Sequence, residues 1–309
     1  MIKARKKSMF EHLQVWMNGK IVPWGQANVP LMSHGFSRGS AIFEVFGIHP
    51  GPKGPVAFRM DKHLERLFRS AELLEMEMAY TKEQIIDAVM QSVKENNIKR
   101  GIIKILAYYG KETITSLVLD SRLDLAVFGV PETEDLALDQ AKPIDICISK
   151  WRKIHPESVP VEAKACSNYL NGMLVRKDAM NRGYDVGINL TTEGYVAEGS
   201  IESIFMVKEG VLKTPALGNI LQGITRMSIL EAAPMAGIET SEERITPKEL
   251  MAADEIFLCH TGIKVHPIKK IEERMIDAPG PVSSRISKLM EDICNSRDQR
   301  FKDWLQPVG

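Results

Sequence analysis

Hydrophobic positions along the 309-residue chain follow two periods, and the changes of period mark its elements. Short apolar runs flank Asn18-Gly19 between residues 15 and 30, which predicts a hairpin closed by a tight turn. In residues 31–46 glycines 35 and 39 bracket Arg38, and residues 40–46 predict a buried strand or a helix start. Residues 51–55 are a loop by composition. Residues 56–58 form a short strand that ends at Arg59. Asp61 then caps a predicted helix with Leu64, Leu67, Phe68, Ala71 and Leu74 on one face. Thr81 and Gln84 make the capping-box signature of a second helix, whose apolar face is Ile85, Ile86, Val89, Met90 and Val93. Residues 101–109 and 116–130 read as strands from their β-branched and aromatic content.

Residues 131–143, PETEDLALDQAKP, are acidic and bounded by prolines, a linker signature. The expected division is a small N-terminal domain (1–131), a linker (132–143) and a large domain (144–309). In the second part residues 144–149 predict a strand. Residues 168–181 predict a helix ended by Gly183, with Tyr169, Leu170, Met173 and Leu174 on one face. Strands follow at 186–190, 195–197 and 204–212, with turns at Glu193-Gly194 and Glu209-Gly210. A helix capped by Thr225 runs to about residue 236. A capping box with Pro at its first helical position occupies residues 246–249. A strand at 255–259 ends in the turn His260-Thr261-Gly262, and a last helix spans 282–293. Strands and segregated helices of this kind define an α+β chain.

Forty basic and forty acidic residues cancel, so bulk charge gives no case for nucleic acid or a membrane surface. The basic run at residues 3–7 precedes no apolar segment; it reads as a frayed terminus rather than a signal peptide, and no window is apolar enough to span a bilayer. Cys147, Cys166, Cys259 and Cys294 lack metal-ligand spacing. They predict reduced thiols, a cytoplasmic location and no metal site.

Lys164 stands out as an ammonium between Ala163 and Ala165, just before a helical run. Such a group stays in water unless it is paired, neutral or covalently used; an ordinary solvated lysine is the bland alternative. Glu198 lies among small residues in the turn YVAEGS. The Gly223–Thr225 stretch starts a helix, whose first N–H groups have no internal partner and suit an anion, although simple capping is the commoner use. Thr261 and Arg59 are further anion donors. Together these groups make a toolkit for a phosphorylated carbonyl compound: an amine, an acid and several phosphate donors. Singly, each favours a structural role.

The segments WMNGKIVPW, MSHGFSRGSAIFE, GPVAFRMDKHLERL, VPVEAKACSNYL, GYVAEGS, LQGITR and HTGIKVHPI stand in an order that resembles the fold-type IV pyridoxal-phosphate enzymes, most closely the branched-chain amino-acid aminotransferases. The resemblance runs from Trp16 to about Ile268. It implies a two-domain fold of the D-amino-acid aminotransferase type, with pyridoxal 5'-phosphate in the interdomain cleft. It further implies ping-pong transfer of an amino group between a branched-chain L-amino acid and a 2-oxo acid such as 2-oxoglutarate, in a homodimer whose neighbouring subunit completes the pocket. Lys164 matches the lysine of the internal aldimine, Glu198 the partner of the pyridine nitrogen, and Tyr169 the partner of the phenolic oxygen. Arg59, Gly223, Ile224, Thr225 and Thr261 match the phosphate site, and Phe43 and Gly262 the substrate side.

The chain departs from that family around the substrate carboxylate. Ile102 and Lys104 stand where the family usually has Tyr-x-Arg, Arg38 where it often has tyrosine, and Ser203 where it commonly has asparagine. Arg and Lys differ at a bidentate site. Either a cation has moved to another pocket wall, or Arg38 receives a second carboxylate, or Arg38 serves the structure alone. A D-amino-acid aminotransferase, an aminodeoxychorismate lyase and a non-catalytic pyridoxal-phosphate protein are the competing readings.

Overall fold

The computed structural model describes residues 10–133, 136, 138, 139 and 141–309. The expected frayed run at residues 3–7 and part of the expected linker lie outside them. The chain forms two compact units, one of residues up to Leu136 together with Leu305–Gly309, the other of Ala137–Trp304.

The first unit opens with the expected hairpin. Strands β1 (Gln14–Met17) and β2 (Lys20–Pro23) pair with Met17 opposite Lys20. Asn18 and Gly19 both take positive φ, 48° and 87°, as a tight primed turn demands. Helix α1 (His34–Arg38) is followed by β3 (Ala41–Gly51), so the ambiguous apolar run at 40–46 is a strand. β3 turns into β4 (Gly54–Phe58), which leads to α2 (Met60–Leu73), α3 (Lys82–Glu95), β5 (Gly101–Tyr108) and β6 (Asp124–Pro131). β6 is shorter than the composition of residues 116–130 predicts, because residues 111–123 form a loop. The α3 capping box is present in both directions. Asp61 is not the cap of α2; that position belongs to Arg59, whose backbone is left-handed at φ 52°. An arginine held in that region stores roughly 1 kcal/mol or more of strain.

The second unit runs through β7 (Ile144–Arg152), α4 (Tyr169–Asn181), β8 (Val186–Leu190), β9 (Ser203–Lys208), β10 (Val211–Pro215), α5 (Ile224–Ala232), β11 (Thr240–Glu243), α6 (Pro247–Met251), β12 (Glu255–Cys259), β13 (His266–Ile271), β14 (Arg274–Met275) and α7 (Pro281–Cys294). The predicted 204–212 segment turns at Glu209-Gly210 as expected, both with positive φ, 53° and 80°, and so forms two strands. Around Val196 only an isolated bridge to Leu190 forms. The chain then returns to the first unit as β15 (Leu305–Pro307), paired with β4, where the sequence reading placed all of 144–309 in one domain.

The first unit's sheet has the order β15-β4-β3-β5-β6-β1-β2 and is antiparallel throughout. One of its faces carries Ile42, Phe46, Ile48, Ile103, Ile105, Leu125 and Val127, buried under Leu64, Leu67 and Ala71 of α2 and Ile85, Val89 and Val93 of α3. Strand period 2 on one side and helix period 3.6 on the other produce this packing. The second unit's sheet runs β11-β10-β9-β12-β13-β7-β8, with β14 on β13. Its β13–β7, β7–β8 and β10–β11 pairs are parallel, and its core includes Ile146, Ile188, Ile204, Ile256 and Leu258.

Candidate active site

The second unit collects most of the predicted groups at one edge. Lys164 and Tyr169 lie on either side of a single 3-10 turn, Cys166–Asn168, which leads into α4. That turn brings the Lys164 Nζ within 2.6 Å of the Tyr169 hydroxyl, to which it donates. Ala163 and Ala165 are buried on either side of a half-buried lysine.

Gly172, one turn further along α4, ties this pair to the acid. A Cβ at Gly172 would lie 2.1 Å from the Ser200 carbonyl oxygen, so only glycine lets the helix approach the 198–202 turn this closely. In that turn the Glu198 backbone is bonded twice to the buried Asn189: its N–H donates to Oδ1 at 3.2 Å, and its carbonyl accepts the Asn189 N–H at 3.0 Å. One carboxylate oxygen of Glu198 accepts from the Lys153 ammonium, and the other from the Leu221 N–H at 3.3 Å. Glu202 braces the same turn: its carboxylate accepts from the Ile201 N–H at 2.9 Å and from the Arg176 guanidinium.

Leu221 belongs to the loop that enters α5. Gly223, not Thr225, occupies the cap position, and no side chain caps the helix. Thr225 is instead buried in the first turn, because residue 223 is already extended at ψ 127°. The opening N–H groups of α5 therefore lack a side-chain cap, and the site keeps the donor set an anion needs. Gly223 sits close to Ser203, whose hydroxyl oxygen would be 2.6 Å from an added Cβ. Ser203 in turn pairs with Cys259, the last residue of β12. Two residues beyond Cys259, Thr261 accepts the Lys264 ammonium on its carbonyl at 2.6 Å. The Gly262 N–H donates to His260 Nδ1 at 3.1 Å, and its carbonyl accepts from the Asp139 N–H at 2.8 Å, so the backbone of Gly262 is bonded within the unit. Burial pushes the His260 imidazole down to about 4, with the Lys264 charge adding to it.

Four predicted residues belong to the first unit. Phe43 and Lys104 come together, the ammonium 5.2 Å from the ring centroid. They share the sheet face opposite α2 and α3 with Val45, Ile102, Leu106 and Phe128, all half-buried. Arg38 is exposed at the end of α1 and donates to the Ile114 carbonyl at 2.9 Å. Arg59 is buried at the head of α2. The sequence reading missed Lys153, Asn189, Arg176 and Glu202. Nothing in a single sequence separates these from solvated or structural residues of their types, since their partners are 9 to 45 positions away.

The amine with its tyrosine, the acid and the uncapped helix start fit a phosphorylated pyridine aldehyde. The profile of amino-transferase class IV matches residues 41–271 of the chain. The branched-chain-amino-acid aminotransferase of Pseudomonas aeruginosa is 32% identical over 296 residues, covering 94% of this chain and 95% of that one. Its counterpart in Escherichia coli strain K12 is 32% identical over 302 residues, with coverages of 96% and 97%. A branched-chain aminotransferase of Thermoproteus uzoniensis, crystallised with norvaline, superposes with a TM-score of 0.91 at 34% identity over 96% of this chain and 99% of that chain. The T.th. branched-chain amino acid aminotransferase, complexed with N-(5'-phosphopyridoxyl)-L-glutamate, gives 0.90 at 30% identity over the same shares. The chain belongs to the class IV aminotransferases, the fold-type IV enzymes that work with pyridoxal phosphate.

Proposed function

We propose that this aminotransferase moves the amino group of a branched-chain L-amino acid to 2-oxoglutarate. The convergence of the Lys164–Tyr169 pair, the Glu198 turn and the α5 start at one edge of the second unit carries this reading. The bound cofactor would supply an electron sink for the substrate Cα. Lys164 would hold it covalently, and its amine is the group placed to carry a proton to and from the substrate Cα. Tyr169 orients the Lys164 amine. Glu198 would accept the ring N–H, and the α5 N–H groups with Thr225 and Thr261 would hold the phosphate; Arg59 is assigned as a phosphate donor by the family resemblance alone.

On the substrate side, the face of Phe43, Val45, Ile102, Leu106 and Phe128 is apolar apart from Lys104. An aliphatic side chain with one carboxylate matches such a surface. The glutamate adduct of the similar T.th. enzyme favours 2-oxoglutarate as acceptor. Arg38 is the candidate reader of a second carboxylate. The two compact units stand as the two domains of the enzyme. Its four cysteines are not joined in disulfides, and Cys147, Cys259 and Cys294 are buried, which supports a reducing, cytoplasmic setting.

A homodimer also fits. Leu31, Phe36, Ile114, Leu117 and Val118 are between 69% and 86% exposed. The segment around α1 and the 111–123 loop, which carry them, are pinned together by the Ser33–Glu112 bridge and by His34 Nε2 at 3.0 Å from the Leu117 carbonyl oxygen. An exposed apolar patch on a fixed scaffold marks a protein interface.

A panel of amino donors with 2-oxoglutarate tests the substrate assignment. Leucine, isoleucine and valine should turn over fastest. If all three are inert while another donor reacts, the branched-chain assignment is wrong. Light scattering on the same preparation should give twice the 34.6 kDa chain mass, and a monomer mass rules the dimer out.

A further inference from the structure

The Lys153–Glu198 ion pair has no place in the roles just assigned, yet it joins a candidate cofactor-binding carboxylate to a second lysine. Both side chains are largely withdrawn from water, with 10% and 14% of their surface exposed. By contrast, Lys62–Glu65 on α2 is 35% and 50% exposed and belongs to the ordinary surface class. The partners also hang from consecutive residues of one strand. The Lys153 N–H donates to the Leu190 carbonyl at 2.8 Å, while Glu198 is bonded through its backbone to Asn189. β8 thus sets the spacing of the pair.

A carboxylate has about four lone-pair positions. Lys153 takes a place on one oxygen and Leu221 N–H on the other, which leaves about two positions and so room for a further donor. We propose that Lys153 is a positioning residue for Glu198: it keeps the carboxylate in place as the counter-ion before the cofactor binds, and then shares it with the ring N–H, limiting how strongly the ring and the nitrogen joining it to Lys164 hold their protons. The inference rests on the assignment of Glu198 as the ring partner.

The physics is that of charge. A largely buried carboxylate without a counter-ion is costly, so the cofactor-free protein needs the ammonium. With the cofactor bound, the same cation lowers the proton affinity of every group that communicates with that carboxylate. Removing it should therefore raise the pH at which the nitrogen joining Lys164 to the cofactor loses its proton.

The test is a pH titration of the near-visible cofactor band of the holoenzyme without substrate. Lys153→Met should move the midpoint up by about half to one pH unit. Lys153→Arg, which keeps the charge, should stay near the native value. Lys153→Gln replaces Lys153→Met if the latter does not fold. Melting without cofactor supplies a second readout, in which Lys153→Met should fall further below native than it does when loaded. An unchanged midpoint in the Met or Gln variant overturns the proposal, whatever happens to melting, because a merely structural pair moves only the latter. Glu198→Gln separates the two levels of the argument. If that variant leaves the band's titration unchanged, the assignment of Glu198 itself fails, and the inference with it.

Discussion

At the scale of single residues, the buried charges of the first unit make a pH prediction. Glu44 is wholly buried between β3 and α2. It accepts from His63 Nδ1 at 2.7 Å and from the Arg66 guanidinium at 2.7 and 2.8 Å. Burial alone would raise its pKa, but Arg66 and His63 outweigh it and hold the carboxyl at about 2 rather than 4.5. The unfolded chain takes up that proton near 4.5 and the folded one only near 2, so stability contributed above 4.5 is lost as pH falls through that window. His260 adds a second loss. Its neutral ring accepts the Gly262 N–H, and its pKa of about 4 against 6.5 makes folding weaker as pH drops between those values. Melting temperature should therefore decline below pH 6.5 and more steeply below 4.5. Glu44→Gln should lose about 3 kcal/mol at pH 7, because it strips Arg66 of its buried partner, and should flatten the acid limb. A native profile that is flat from about pH 7 to about 3.5 would contradict this.

Residue-scale chemistry was unevenly legible in the sequence. Lys164 stands out by its small neighbours and Tyr169 only through the resemblance; that the two bond to each other across a single turn is a finding of the structure. Glu198 and Lys153 are 45 apart and meet only because β7 and β8 run parallel and adjacent. No periodicity encodes that meeting.

At the scale of elements, helices were read well where caps carry their own chemistry. The capping boxes of α3 and α6 formed as expected. The start of α5 did not, since Gly223 rather than Thr225 takes the cap and the N–H groups stay available. α4 is the instructive case. Its spacing put Tyr169, Leu170, Met173 and Leu174 on one face, yet that face is not the buried one: Leu170 and Met173 are exposed, and Gly172, Val175 and Ala179 face the core. The helix has apolar residues on both sides, so periodicity alone could not choose between them. Close approach decided the matter, because Gly172 fits against Ser200 and a larger residue does not. Gly172→Ala should cost about 1–3 kcal/mol and loosen cofactor retention by pushing the Glu198 turn away. Equal melting and cofactor affinity in that variant would show that the contact is dispensable.

At the scale of the whole molecule, the α+β class and the family could be read from the order of several short motifs. The return of β15 to the first unit could not, since a three-residue strand carries almost no signal and its partner β4, with Phe58 opposite Leu305, lies far back in the chain. The proposed catalysis depends on a covalent bond between the coenzyme and one amine. Borohydride reduction of the holoenzyme followed by peptide mapping tests it directly. The expected result is a single phosphopyridoxyl tag on Lys164. A protein that takes up no tag, or one tagged on another lysine such as Lys153, would contradict it.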